Sequence, residues 1–347
     1  MRSIRPFALL ALVALLAART APASAQGTLH ELPLVPANVH WGHFSGTLRP
    51  AITIQSGDRV RVETMVVRGL ERLRRAGVTD AEIPQALKAV DAGVTDRGPG
   101  AHVMTGPIAV AGAEVGDVVE IKFLEIGFMH PYGISYFVPG SGTLPDDFPY
   151  TRIKLIRFDA EQKNALFAPG ITVPLAPFWG TVGVAPTPVL GRVATTAPND
   201  HFGGNYDIKD LVAGSSLFLP VQVPGAHISL GDGHAVQGDG EVSITALETS
   251  LRGTIQVVLH KGMGLVRPRA ETPTHYIAIG LNTDLDLAAQ MATREMIQLL
   301  VDVKGMSRDD AYLLASIAAD LKVSQLVDGT KGVHAMIPKS IFTQGAR

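Results

Sequence analysis

The segment from Gly203 to Glu241 constrains this chain more than any other. It reads Gly203-Gly204-Asn205-Tyr206-Asp207-Ile208-Lys209-Asp210-Leu211, then an apolar strand-like stretch, Leu217-Phe218-Leu219-Pro220-Val221, then Gly231-Asp232-Gly233-His234-Ala235-Val236-Gln237-Gly238-Asp239-Gly240-Glu241. Polar and metal-capable side chains thus stand among glycines on both sides of a strand, which is how a chain builds a rigid sheet whose ends carry polar groups to one spot. Asp232 and His234 are two apart, so on an extended strand they point to the same side. A histidine with carboxylates is a ligand set suited to zinc or another divalent metal. The glycines allow tight turns and a close approach of backbone to a ligand. Gly-Asp and Asp-Gly pairs are also ordinary turn punctuation. No CxxC or HExxH spacing identifies a metal by itself.

The N-terminus reads as a targeting segment. Arg2 and Arg5 form a positive region, Phe7 to Ala18 is apolar and uncharged, and Ala23-Ser24-Ala25 is a small-residue cleavage pattern followed by Gln26. The apolar run is short for a bilayer span, so a secretory signal peptide cleaved after Ala25 is expected, with a periplasmic or secreted product. The two arginines are not adjacent, so the twin-arginine route has no support. The chain has no cysteine, which removes disulfides and every cysteine-nucleophile mechanism. Lys and Arg number 30 against 32 Asp and Glu, so nothing points to nucleic acid or an anionic membrane as partner.

Glycines (36) and prolines (23) imply many turns between short strands. Arg59 to Thr64 alternates by two after the Ser56-Gly57-Asp58 turn, and Val118 to Leu124 is a second strand. Leu70, Leu73, Val78, Ile83, Ala86, Leu87 and Val90 recur at helical spacing, and residues 127–150 read as a long loop. Leu217–Val221 and Glu241–Leu247 are the clearest strands of the middle part. From Asp286 to Val303 the period is helical, with Ala289, Ala292, Met296, Leu299 and Val303 on one face and Gly305 as the stop. Ser307 caps a second helix to about Asp320, and Val323 to Val327 forms a strand. The expected order is a signal peptide over 1–25, a β-rich part over 26–150, a β-rich part over 151–270 carrying the Gly203 to Glu241 motifs, and an α+β part over 271–347. The fold class is mostly β: β-sandwich-like and β-barrel-like parts with a small C-terminal α+β element. No dinucleotide or phosphate loop is present, because the glycines of 231–240 do not lie between a strand and a helix.

These motifs resemble the acetamidase/formamidase family. Its members carry a GGN-x-D-x-K-x-L stretch, an LFLPV-type strand and a GD-x-H-x-x-QGDGE element, and all three stand here in that order. Thr105-Gly106-Pro107-Ile108 with Val110, Gly112-Ala113-Glu114 and Gly116-Asp117 resembles the family's TGP element. Phe178 to Pro186 resembles its PF-x-G-x-x-GVAP element, and Ser307–Tyr312 and Gly332–Pro338 its C-terminal pattern. The resemblance covers about residues 30–340. It implies hydrolysis of the C–N bond of a short linear amide such as formamide or acetamide, giving carboxylate and ammonia.

Such a reaction without a covalent nucleophile needs an activated water, a charge near the oxyanion and a proton for the leaving ammonia. A divalent metal, zinc first and calcium as the alternative, supplies the first two. The expected ligands are His234, Asp207, Asp232 and His102, a histidine often found before the TGP element in the family. Glu241 is the expected general base or acid, at the rigid start of a strand, with Asp232 beside it. Asn205, Gln237 and His201 are expected to touch substrate. His40 and His43 flank Trp41 and can either reach the site or pack there. Lys209 is a polarising cation or a loop charge, Asp239 a turn residue, and His227 a departure from the family pattern. The partners expected are a small amide substrate and a second copy of the chain in a homodimer, with no nucleic acid and no membrane after leader removal. The alternative is an exported, non-catalytic protein that binds a small polar ligand in the same pocket. No G-x-S-x-G elbow occurs, and Ser215-Ser216 lacks the context of a Ser-Ser-Lys amidase.

Overall fold

The computed structural model describes residues 27–343; the expected leader and its cleavage point lie outside the described residues. The chain is mostly β and is organised by two large sheets. In the first, nine strands run in the order Leu29–Leu32, Arg59–Glu63, Leu251–His260, Val118–Phe128, Ser216–Pro220, Arg269–Glu271, His275–Asn282, Lys331–Pro338 and Asp320–Gln325. The alternation in Arg59–Glu63 is real: Val60 and Val62 are fully buried while Arg61 is exposed. The long antiparallel pair of Val118–Phe128 with Leu251–His260 forms the sheet's middle.

The second sheet runs Ile171–Pro174, Asn164–Ala168, Arg152–Phe158, Tyr132–Phe137, Glu248–Thr249, Ile228–His234, Phe178–Gly183 and Gly203–Asn205. Strand Val103–Val110, buried along its whole length, pairs with Ile228–His234 and with the short strands Val39–Trp41 and Ile52–Ile54. The two sheets face each other across one core: Val60, Ile121 and Phe123 of the first pack with Met104, Val182 and Leu230 of the second. Trp179 ties the layers together. Its ring packs against Phe123, and its indole N–H donates to the Thr64 hydroxyl at 3.0 Å. A buried indole needs such a partner.

The C-terminal part is α+β. Helix Leu285–Lys304 lies on strands His275–Asn282 and Lys331–Pro338, followed by helix Arg308–Ala318. Asp284 caps the first helix through the Leu287 N–H at 3.0 Å, and Gly305 ends it in the left-handed region at φ 65°. Ser307 caps the second, accepting from the Asp310 N–H at 3.1 Å. The buried face of the long helix is Ala288, Ala292, Met296, Ile297, Leu299 and Leu300; Ala292, Met296 and Leu299 are as expected, whereas Ala289 is half-buried and Val303 is 46% exposed.

Two expected elements differ. Residues 127–150 are not one loop: the first-sheet strand continues to Phe128, and Tyr132–Phe137 is a strand with Tyr132, Ile134 and Tyr136 buried in alternation. The glycines and prolines around it hid that period of two. Residues 241–247 are not a strand. Glu241 and Ile244 have φ of 44° and 84°, values that break a ladder, and Val242 is 57% exposed. The strand begins at Glu248 instead.

Candidate active site

The site lies where four neighbouring strands of the second sheet end together. Strand register places Asn205 opposite Thr181, and His234 opposite both Phe178 and Glu248. Directly opposed residues share a face. The Glu248 carboxylate accordingly lies 3.3 Å from His234 Nε2. Asp232, two residues back, brings Oδ2 to 3.5 Å from the same nitrogen. His102, just before strand Val103–Val110, brings its Nε2 to 3.5 Å from that Asp232 oxygen. Asp207 and Glu241 approach His234 at 3.9 and 4.0 Å. Asp328, from the loop after strand Asp320–Gln325, completes a group with Asp207 and Glu241.

The outer ends of both imidazoles are fixed. His102 Nδ1 faces the Thr195 carbonyl at 3.0 Å, so that nitrogen must donate. His234 Nδ1 faces Gln237 Oε1 at 2.9 Å. The Gln237 amide cannot be the other way round, since its Nε2 donates to the Asp207 and Ser324 carbonyls at 2.9 and 3.1 Å. Both histidines therefore aim Nε2 at the carboxylates. This is the arrangement of metal-binding histidines held by an outer partner.

Backbone strain is concentrated here. Asp207, Asp232 and Glu241 have φ of 50°, 59° and 44°. Non-glycine residues in that region cost about 1–2 kcal/mol each and persist where the surroundings hold them. Gly180 is the floor. A Cβ there would overlap the Asp207 carboxylate and come within 2.8 Å of Asp232 Oδ2 and 2.9 Å of His234 Cε1. Its carbonyl also accepts from the Tyr206 and Asp207 N–H groups at 3.0 and 3.2 Å, pinning the turn that delivers Asp207.

The charge count tests whether a cation fits. Four carboxylates, from Asp207, Asp232, Glu241 and Glu248, surround His234, and Asp328 stands behind them beside Asp207 and Glu241. Burial, reinforced by neighbouring carboxylates, pushes the carboxyls of Asp207 and Glu241 far above their ordinary range, and Glu248 upward too. Burial also pushes up the Asp232 carboxyl, but His102 and His234 outweigh it and hold the group below its usual value. Burial lowers His234, but Glu248 and Asp232 outweigh it and hold the imidazole above its usual value. So much buried negative charge needs protons or cations. Both Asp207 oxygens and Glu248 Oε2 are buried without a hydrogen-bond partner. Nitrogen and oxygen donors 3.3–3.5 Å apart are too far for strong hydrogen bonds. They match the about 3.3–3.4 Å separation of donors bound tetrahedrally at 2.0–2.1 Å. The residues fit a divalent metal.

In front of the cluster lies a cavity of about 180 Å³, into which His102, Asn205, Asp232, His234, Glu241, Glu248 and Asp328 all open. The structure thus gathers His102, Asn205, Asp207, Asp232, His234, Gln237 and Glu241. It gives two of them other work than touching substrate. Both ends of the Gln237 amide are spent on positioning His234. Asn205 donates to Asp328 at 2.8 Å and to the Thr196 carbonyl at 3.3 Å, and accepts from Thr181. His201 is not brought in: its side chain is 53% exposed and lies 3.4 Å from Asp200, because the turn bridging Asn199 and Gly203 points it outward. Lys209 and Asp239 pair with each other at 2.9 Å. His40 bonds the Ser229 hydroxyl and His43 the Trp41 carbonyl, both at 2.9 Å, and neither lines the cavity. Glu248, Asp328, Thr181 and Gly180 are the site residues that reading the sequence missed. Glu248 alone had a signal, as an acid at the true start of its strand.

Comparison with known proteins identifies the family of the chain. The model of the Acetamidase/Formamidase family matches residues 42–192 and 188–344. The acetamidase of Mycolicibacterium smegmatis is 27% identical over 266 residues, which cover 60% of this chain and 62% of that protein. The formamidase of Methylophilus methylotrophus is 27% identical over 193 residues, 41% of this chain and 47% of that protein. The chain therefore spans less than two thirds of the length of these curated relatives. A crystal structure of an acetamidase from Yersinia enterocolitica is 30% identical, with a TM-score of 0.79 over 93% of this chain and 95% of that one.

Proposed function

The chain belongs to the acetamidase/formamidase family, and from that premise we propose that it is a metal-dependent amidohydrolase, splitting a short linear amide and water into carboxylate and ammonia. One observation carries this reading: His234, fixed by an outer partner, stands with Asp207 and Asp232 within reach of one ion beside a cavity, and His102 Nε2 lies against the same Asp232 oxygen. Asp207, Asp232 and His234 would hold the ion, with His102 against Asp232 and Glu248 beside His234. When bound, a divalent ion supplies a strong water-derived nucleophile at neutral pH and positive charge for the developing oxyanion. The chain's own residues do the rest. Glu241, buried and opening onto the cavity, takes a proton from the attacking water and returns it to the departing nitrogen. Gln237 and Thr195 keep the two imidazoles in the tautomer that leaves Nε2 free.

Ammonia release from formamide and acetamide, with and without a chelator, tests the reading. Turnover is expected to fall to background on chelation and to return with zinc, and elemental analysis should find stoichiometric divalent metal. A fully active preparation with only trace metal would overturn the mechanism. Ligand binding without any ammonia release would favour the non-catalytic alternative.

Export is the second part of the proposal. The positive start, apolar run and Ala23-Ser24-Ala25 support a signal peptide. No helix among the described residues is long and apolar enough to cross a membrane. The native protein is expected to begin at Gln26 in a periplasmic or secreted fraction. An intact Met1 on cytosolic protein, found by N-terminal sequencing, would refute this.

A further inference from the structure

The cavity has a second wall that the chemistry above leaves without a task. Arg68 and Arg72 stand on it with Tyr136. The neighbouring Arg74 and Arg75 pair with Asp80 and Glu71 at 3.2 and 3.7 Å. Arg68 and Arg72 have no carboxylate within ion-pair reach among the described residues. The Arg72 guanidinium carbon lies 3.8 Å over the Tyr136 ring, which holds the group in place. Its Nη1 is buried and meets no acceptor. A buried charged donor without a partner is unfavourable unless something else supplies the acceptor.

Tyr136 links this wall to the metal-binding floor. Its hydroxyl feels burial first, then the charge of Glu248, with Arg72 and Arg68 acting in the opposite sense. The ring under Arg72 lines the same cavity as the carboxylates. The space between is large for the simplest amides: about 180 Å³, against the roughly 10–15 Å³ of such volume that one water needs. Formamide and acetamide have nothing to offer a guanidinium at the far end.

We propose that Arg68 and Arg72 form an anion subsite, and that the amide hydrolysed here carries a carboxylate a few bonds from its amide carbon, as in a monoamide of a short dicarboxylic acid. This rests on the amidase reading above. The carboxylate seats on the planar guanidinium donors, which match it in shape and charge. The amide end then reaches the floor, where the C–N bond is cut by water to give the dicarboxylate and ammonia.

The test compares succinamate with succinamide, which differ by carboxylate against amide at the far end. In the metal-loaded full protein, kcat/KM for succinamate should exceed that for succinamide by roughly 10–100-fold. Arg72→Gln should collapse that ratio toward one, and Arg72→Lys should restore part of it. Arg68→Gln, at an exposed position, should lower the ratio by itself and guards against a folding defect in the Arg72 variants. A ratio near one in the wild-type protein, or one unchanged by these substitutions, overturns the subsite. Calorimetric binding of succinate separates the two readings. If neither amide is cleaved but succinate binds at least about tenfold more weakly to Arg72→Gln, the amidase reading falls and the subsite stands. Equal succinate affinity in wild type and both variants removes the subsite whatever the turnover.

Discussion

Glu241→Gln should slow amide hydrolysis by roughly 10²–10⁴-fold, the usual worth of general acid–base catalysis, while the protein keeps its metal. The substitution preserves size and most hydrogen bonding at a buried position. It removes only the capacity to accept and return a proton. His234→Ala should behave differently, because it deletes a donor whose Nε2 lies 3.3–3.5 Å from two carboxylates. Metal occupancy and rate should then fall together. Metal content and turnover are to be measured on the same preparations, after melting curves show that each variant folds. Loss of metal in Glu241→Gln would make Glu241 a ligand and move the base to Asp207 or Asp232. Full metal and full rate in both variants would remove the site assignment altogether.

Gly180→Ala is expected to be nearly as severe, although alanine adds one carbon and no charge. That carbon would overlap the Asp207 carboxylate and sit 2.8 Å from Asp232 Oδ2. Both acids stand on left-handed backbone and are buried, so neither has a free direction to move. Overpacking of this kind costs about 1–3 kcal/mol. A melting temperature a few degrees lower should therefore accompany loss of metal and of at least about 10²-fold in rate. An alanine variant with normal metal content and rate would show that the carboxylates shift freely and that their spacing is not what the chemistry uses.

The parts of this site that could be read from sequence are those set by local rules. Asp232 and His234 do lie on one strand and reach the same spot, although Asp232 stands at φ 59° and not in the extended conformation that the spacing of two assumed. Asp207 is delivered by the glycine-rich turn before it. What escaped needed register. Glu248 is placed by its pairing opposite His234. The alternation of Val242, Ile244 and Ala246 suggested a strand seven residues too early, and so hid it. Those apolar residues alternate along an irregular segment whose backbone twice enters the left-handed region. Asp328 follows no ligand spacing at all, because it arrives from the C-terminal loop. His201 shows the converse error. It is adjacent in sequence to Gly203–Asn205, but the intervening turn faces it outward.

The span of this cluster along the chain has a consequence for biogenesis. His102 precedes the first buried strand of the second sheet, and Asp328 lies near the end of the described chain. Neither half of the described chain holds the whole cluster by itself. If the cluster holds the proposed ion, the ion can be taken up only after both halves have folded together. A chain threaded unfolded through a secretion channel would therefore arrive without its ion, and the metal in the mature protein would be chosen by the supply in the destination compartment rather than by the cytosol that made it.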